Sequence, residues 1–372
     1  MNKFIPVSEP SITEKEIEYV TAAVTSGWVS SLGEYIDRFE KEFAHFVNVS
    51  NALTVSNGTV ALHLALLAAR IGKDDEVIVP DLTFVATANT VIHAGAKPVI
   101  VDIDPETWCI DPRQIEKALT SKTKAIIPVH LYGHPADMDP IMRIAEKHRL
   151  IVIEDCAEAH GATYKGKRVG AIGHIGTFSF YGNKIITTGE GGMLTTNDSR
   201  FYERAKFLKD HAMSPDKRYW HPEVGYNYRM TNVQAAMGVA QLERIETLLA
   251  RKREIFSWYR ESLAGVPGIK LNPQKEYAGN VYWMICLLLD PSLKVNRDQF
   301  MKDLKSKGID TRPFFYPMTQ MPMYQQDPRK NPVSGDISRQ GINLPSSVKL
   351  TFDEVTWISE QIRGLLQTSP GG

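Results

Sequence analysis

The sequence predicts an α/β fold: a large domain on a mostly parallel sheet flanked by helices, then a smaller α+β C-terminal domain. Three observations predict it. Apolar runs of strand length at 52–55, 77–79, 98–101, 125–129 and 151–153 are continuous rather than alternating, which marks strands covered on both faces. Helical segments separate them, as parallel neighbours require. Near residue 240 the alternation ends, and one apolar run with two helices completes the chain. A chain of 372 residues suits two domains, which we divide at 1–240 and 241–372.

The elements follow in order. Thr13 and Glu16 form a capping box ahead of Ile17, Val20 and Val24, and Gly27 stops that helix. Phe39, Phe43 and Phe46 line a second amphipathic helix. Asp111 caps a helix that has Pro112 in its first position. Thr231 opens one long helix ending before Gly265, a length that suits a bridge between domains. Beyond it come the apolar run 281–289, a helix over 296–308 and a last helix capped by Thr351 and Glu354, with Val355, Ile358, Ile362 and Leu365 inward. The tail from Thr368 to Gly372 is expected to be disordered.

Charge and composition exclude several classes. Lys+Arg and Asp+Glu number 43 each, so the broad basic face of a nucleic-acid or membrane-surface binder is missing. No stretch approaches 18 uncharged apolar residues and the start has no apolar h-region, which predicts no membrane segment and a cytoplasmic protein. Cys109, Cys156 and Cys286 are odd in number and scattered, as in a reducing compartment. A chain of this length needs no structural metal, and none is expected.

Two motif-like fragments fail. Gly161 to Lys167 matches GxxxxGK, but Arg168 stands where a P-loop needs Ser or Thr. His130 and His134 are four apart, yet Gly133 and Pro135 make that segment a loop, so hydrogen-bonded loop histidines are expected rather than a metal pair.

Ligands of open α/β sheets bind beyond the carboxyl ends of the strands. Four segments place polar residues there. Ser56-Asn57-Gly58-Thr59 ends the first strand and opens a helix, where free backbone N–H groups favour phosphate. Asp81-Leu82-Thr83-Phe84 puts a ring at the sheet edge. Glu154-Asp155-Cys156-Ala157-Glu158 follows the strand at 151–153. Phe178 to Lys184, including Ser179, ends a further apolar run and leads into Gly189, Gly191 and Gly192. Each alone is ordinary: a turn, a core aromatic, a cap, a surface lysine. Together they meet the needs of pyridoxal phosphate. A desolvated lysine amine bonds the aldehyde, an aspartate keeps the pyridine nitrogen protonated so that the ring accepts electrons, and an aromatic ring stacks on its face.

SNGTVALHLAL, KDDEVIVPDLTFVATANTV, VIEDCAEAHGA, GTFSFYGNKIITTGEGGM and VGYNYRMTNVQAAMG resemble, in order, segments of the DegT/DnrJ/EryC/StrS sugar aminotransferases. TRPFFYPMTQMPMY and GINLPS extend the similarity, in particular to members that make GDP-perosamine. The resemblance implies a fold-type I pyridoxal-phosphate-dependent transferase. It makes Lys184 the cofactor-bonding lysine and proton carrier, Asp155 the partner of the pyridine nitrogen, and Glu158 the side chain near the ring hydroxyl. Gly58, Thr59 and Ser179 correspond to phosphate ligands, and Phe84 to the stacking ring. Asn227 corresponds to a residue that reaches the phosphate bound in a neighbouring subunit, which implies a homodimer with shared active sites. Arg229 is placed at the carboxylate of glutamate. Trp28, Ser30, Ser31, the 219–221 loop and the segment from Arg312 to Tyr316 are the places for the sugar nucleotide, with packing at an interface the competing explanation. A dehydratase branch carries histidine where this chain has Lys184, which favours amino transfer.

The expected reaction moves the amino group of glutamate to C4 of a nucleotide-linked 4-keto-6-deoxy sugar, GDP-4-keto-6-deoxymannose first, for surface polysaccharide. A UDP- or dTDP-linked keto sugar is the nearest alternative. A catalytically inactive binding or regulatory relative is the other, and the intact Lys184 and Asp155 argue against it.

Overall fold

The computed structural model describes residues 4–327 and 329–367, so the expected disorder of Thr368 to Gly372 lies outside the described residues. Strands are numbered in chain order: β1 (Asn51–Val55), β2 (Glu76–Pro80), β3 (Lys97–Val101), β4 (Thr123–Ile126), β5 (Ile151–Asp155), β6 (Thr163–Tyr164), β7 (Lys167–Arg168), β8 (Ile175–Ser179) and β9 (Gly192–Thr196). Seven of them form one sheet in the order β1-β9-β8-β5-β4-β2-β3. β9 runs against both neighbours, while the other four pairings are parallel.

Helices α1 (Glu14–Thr25), α2 (Glu34–Val47), α3 (Gly58–Ala68), α4 (Ala86–His93), α5 (Pro112–Ala118), α6 (Met138–His148) and α7 (Ser199–Lys209) surround this sheet. Its continuous apolar runs serve two cores at once. Ile78, Ile126 and Val152 face one core with Phe39, Phe43 and Ile141. Val77, Val79, Ala125 and Ile153 face the other with Leu64, Val91 and Leu208. Period-two alternation sends successive apolar residues to opposite faces, so both faces need apolar residues.

β10 (Ile269–Leu271), β11 (Ala278–Gly279), β12 (Ile285–Leu289), β13 (Arg312–Pro313) and β14 (Gly341–Leu344) complete the strands. A second, antiparallel sheet has the order β10-β12-β14-β13. The fragment from Gly161 to Lys167 lies around the β6–β7 hairpin, which β11 joins as a third small sheet. Helices α8 (Asn232–Glu243), α9 (Ile245–Ser262), α10 (Arg297–Ser306), α11 (Pro332–Gln340) and α12 (Phe352–Gln367) complete the chain. Ile5 joins the core of the second sheet with Ile255, Phe300 and Ile358, and its N–H donates to the carbonyl of Gly308 (2.8 Å).

Three expected elements differ. The long helix after Thr231 is two helices, because Arg244 leaves the helical region (φ −117°, ψ 16°). Its guanidinium is drawn to Glu16 (2.9 Å) and to the carbonyl and hydroxyl of Ser11, tertiary bonds that override local propensity. The run 125–129 is a regular strand only to Ile126, and beyond it keeps isolated bonds to the sheet, from Ile127 N–H to Ile78 and from Asp155 N–H to Pro128. The run 281–289 pairs only from Ile285, since Tyr282 adopts φ +50° and its N–H is tied to Oδ1 of Asn280 (2.8 Å).

Candidate active site

The carboxyl ends of β5 and β8 and the start of α3 converge. Asp155 closes β5 and is buried. Its backbone is fixed on both sides, by the bond from its N–H to Pro128 (2.9 Å) and by the N–H of His130 on its carbonyl (3.1 Å). One carboxylate oxygen accepts from the Thr87 hydroxyl (2.9 Å) and the other from the Ala157 N–H (3.2 Å). Burial raises its proton affinity, so a cationic N–H facing it would be strongly favoured. Glu158 is also buried, accepts from the Tyr132 N–H (2.8 Å) and is pushed up to about 7 by burial.

Lys184 lies in the loop between β8 and β9, its N–H closing a turn onto Tyr181 (2.9 Å). Loss of hydration lowers its affinity for a proton, and the charges of Glu158 and Asp155 oppose that shift. The structure therefore brings Lys184, Asp155 and Glu158 into one electrostatic group. His160 stands beside them between Phe178 and Phe180, with neither ring nitrogen hydrogen-bonded, and burial holds it neutral by pushing it down to about 3.

The phosphate-side residues also meet. Asn57 caps α3 through Val60 (3.0 Å), which leaves the N–H groups of Gly58 and Thr59 in the first turn uncapped by that side chain. A Cβ built on Gly58 would stand 2.6 Å from Cβ of Ser179, and one on Gly192 would stand 2.4 Å from the Asn57 carbonyl oxygen. Only glycine allows strand ends and helix start to close this far. Phe84 is 56% exposed, so one face is free for a planar ligand, and its ring centroid is 6.0 Å from Phe315. This arrangement fits pyridoxal phosphate: an acid in want of a cation, an amine of lowered basicity, a glycine-lined helix start beside a serine, and an open ring face.

Other expected site residues make contacts of their own within one chain. Asn227 and Arg229 bond to each other (3.0 Å), and Arg229 pairs with Asp210 (2.7 Å). Trp28 and Ser30 are exposed, and their carbonyls are held by Asn232 (2.7 and 2.6 Å). Tyr316 is exposed and follows Phe315, which stacks on Tyr132 (5.4 Å, 14°). Thr87, Tyr132, Trp283 and Gly192 also belong to the site, although only Gly192 had a sequence signal, as one of the glycines behind Lys184.

His130 is hydrogen-bonded as expected. Its Nδ1 accepts from the Ala136 N–H (3.0 Å), so Nε2 donates to Glu154 (3.0 Å). Glu154 further accepts from the N–H groups of Gly170, Ile172 and Gly173. His130, Glu154 and Cys156 have metal-ligand spacing, but the histidine and carboxylate donors are already used by these bonds. His134 differs from expectation: it is buried with neither ring nitrogen bonded, and burial pushes it down to about 4.

The family model for DegT/DnrJ/EryC1/StrS aminotransferases matches residues 10–363. The chain belongs to the DegT/DnrJ/EryC1/StrS aminotransferase family. Within that family it is 48% identical over 360 residues to GDP-perosamine synthase of Escherichia coli O157:H7, covering 97% of this chain and 98% of the relative. Among solved structures, the PLP form of Spr1654 from Streptococcus pneumoniae superposes with a TM-score of 0.94 at 30% identity, covering 98% of this chain and 99% of the other. DesV of S. venezuelae, in complex with a ketimine intermediate, gives 0.93 at 32% identity, covering 98% and 99%. The chain is thus a fold-type I, pyridoxal-phosphate-dependent aminotransferase. Among the described residues no helix is long and apolar enough to cross a membrane.

Proposed function

We propose that this aminotransferase moves the amino group of glutamate to C4 of a nucleotide-linked 4-keto-6-deoxy sugar, with GDP-4-keto-6-deoxymannose the substrate and GDP-perosamine the product. The observation that carries the chemistry is the amine of Lys184 in the field of two buried carboxylates, Asp155 and Glu158. The near-full-length identity to proteins named GDP-perosamine synthase, 45–48%, supports the sugar. Bound pyridoxal phosphate supplies an electron sink that stabilises charge released at the donor Cα.

The chain's own residues do the rest. Asp155, held by Thr87 and Ala157, would keep the heterocycle nitrogen protonated. Ser179 and the N–H groups of Gly58 and Thr59 would hold the phosphate. Phe84 would cover one ring face, and Glu158 would lie near the ring hydroxyl. Lys184, made less basic by burial, would take the proton from the donor Cα as a base near neutral pH and deliver it as an acid to C4′ of the cofactor. Trp28, Ser30 and Tyr316 are assigned to the sugar nucleotide, and Arg229 to the glutamate carboxylate. We also retain the division at residue 240: the large sheet spans 51–196 and the second sheet 269–344.

The active unit in this reading is a homodimer in which Asn227 reaches the partner's phosphate. Exposed Trp28, Leu32, Tyr219 and Val224 support a covered face, Val224 at 81% exposure. Cys109, Cys156 and Cys286, all free and buried, support a cytoplasmic setting.

A coupled assay with glutamate and GDP-, UDP- and dTDP-linked 4-keto-6-deoxy sugars tests the substrate. Turnover of the GDP sugar is expected; amination of the UDP sugar alone would replace the substrate and leave the chemistry standing. Lys184→Ala is expected to abolish both turnover and the visible band of the bound cofactor, and wild-type turnover in that variant would overturn the mechanism.

A further inference from the structure

Trp283 reaches this site from outside the large sheet. It lies just ahead of β12, is buried, and is used in three ways at once. Its ring face lies against the amine of Lys184, with Nζ 4.2 Å from the centroid. Its indole N–H donates to the carbonyl of Asn183 (2.8 Å), the residue before Lys184. Its own carbonyl accepts from Nζ of Lys252 (2.9 Å).

Lys252 has no part in the chemistry above. It projects from α9, is buried, and gives a second hydrogen bond to the carbonyl of Ser346. Burial alone acts on its charge, and among the described residues no carboxylate pairs with it. Burial pushes this amine down to about 7, and two directed hydrogen bonds hold it where an apolar side chain would pack at lower cost. Its two bonds tie Trp283 to the end of β14, and through Ser346 to Val7, whose carbonyl accepts the Ser346 N–H (2.7 Å). Lys184, Lys252, Thr187 and Gln241 line one narrow cavity behind the loop.

We propose that Trp283, anchored by Lys252, is the platform that holds the amine of Lys184 whenever that amine is not bonded to the cofactor. Both are positioning residues, and the assignment rests on reading Lys184 as the cofactor-bonding lysine. The physics is direct. In each catalytic cycle the amine must be released and must return, and a buried ammonium needs a partner in the interval. The charged and titratable groups facing it are Asp155, Glu158 and neutral His160, and among the described residues none of them hydrogen-bonds Nζ. An aromatic face favours the cation over the neutral amine. The indole N–H meanwhile fixes the backbone from which the amine swings. Tyr132 also stacks on Trp283 at 6.2 Å and 19°, and its N–H holds Glu158, so one residue touches both the platform and the second carboxylate.

The test uses the full-length, cofactor-free protein, labelled with acetic anhydride across a pH series and read at the Lys184 peptide by mass spectrometry. Trp283→Leu is expected to move the labelling midpoint down by about half to one pH unit, with Trp283→Phe in between, because the aromatic face that favours the cation is weakened and then lost. Lys252→Met is expected to shift the midpoint the same way, and Lys252→Arg to restore it. In the loaded enzyme Trp283→Phe should lower kcat of the glutamate half-reaction about tenfold with KM within about twofold. An unmoved or raised midpoint in Trp283→Phe of native near-ultraviolet circular dichroism would overturn the proposal. Failure of the underlying reading would look different: Lys184→Arg would still show the visible band of covalently held cofactor.

Discussion

The hydroxyl of Thr87 donates to Oδ2 of Asp155 across 2.9 Å, joining the first turn of α4 to the last residue of β5. This bond is one of two that fix the carboxylate, and it is made inside the protein where water cannot replace it. Thr87→Val keeps the shape and removes the donor. We expect cofactor affinity to fall about tenfold, the scale of one hydrogen bond to a charged group, with little change in melting temperature. Titration of cofactor-free protein by absorbance checks this, and wild-type affinity in the variant would remove Thr87 from the site.

The helix start at Gly58 offers a steric test. Gly58→Ala drives a Cβ to 2.6 Å from Cβ of Ser179, so strand and helix must separate. Cofactor affinity should drop by at least about tenfold, since overpacking of this kind costs more than 1 kcal/mol. Gly364→Ala is the matched control: nothing lies within 4 Å of its Cβ, in the body of α12. That change should raise stability by about 0.5–1 kcal/mol and leave cofactor binding alone.

His134 predicts a slope in the stability curve. The folded chain holds it neutral down to about pH 4, whereas the unfolded chain protonates it near 6.5. Its contribution is therefore full above about pH 6.5 and is lost as pH falls toward 4. Wild-type protein should lose on the order of 2 kcal/mol over that interval from this residue. His134→Phe should flatten the curve by that amount in urea melts at pH 7 and pH 4.5. Equal slopes would mean that the ring is hydrated in solution.

Arg244 is the partner of a buried acid. Glu16 is 1% exposed and accepts from Arg244, Thr13 and Gln241. Arg244→Met should destabilise the chain by about 2 kcal/mol, because it strips the cation from a carboxylate that cannot reach water. Restoration by Glu16→Gln in the same background, measured as a double-mutant cycle, would locate the effect in this pair.

Much of this was legible in the sequence because it depends on local chemistry. Asp111 and Pro112 start α5 as a cap and a preset φ should, and the uninterrupted strand runs announced two covered faces. Lys184 and Asp155 stood out only in combination with Ser56 to Thr59 and Phe84, because each alone reads as a surface lysine or a cap. What escaped depended on partners far away in the chain. Arg244 breaks a helix whose periodicity continues, because Glu16 and Ser11 lie 228 and 233 residues earlier. Trp283 read as one more apolar residue of a strand, and only folding sets its face against Lys184. His130 and His134 are alike in sequence, but the loop gives one ring two hydrogen bonds and the other none.

The reversed direction of β9 has a further consequence. A parallel successor to β8 would oblige the backbone to travel the full height of the molecule before re-entering. Because β9 lies directly beside β8 and runs back, the residues around Lys184 make a short bridge with both abutments on one rim, roughly 5 Å apart. The reactive amine can swing, while the span that carries it is held by its own cross-links, from Phe180 N–H to Gly191 and from Thr188 N–H to Phe180. Cutting the chain within that bridge, as a circular permutation would, should cost the enzyme its working geometry even if every side chain stayed in place.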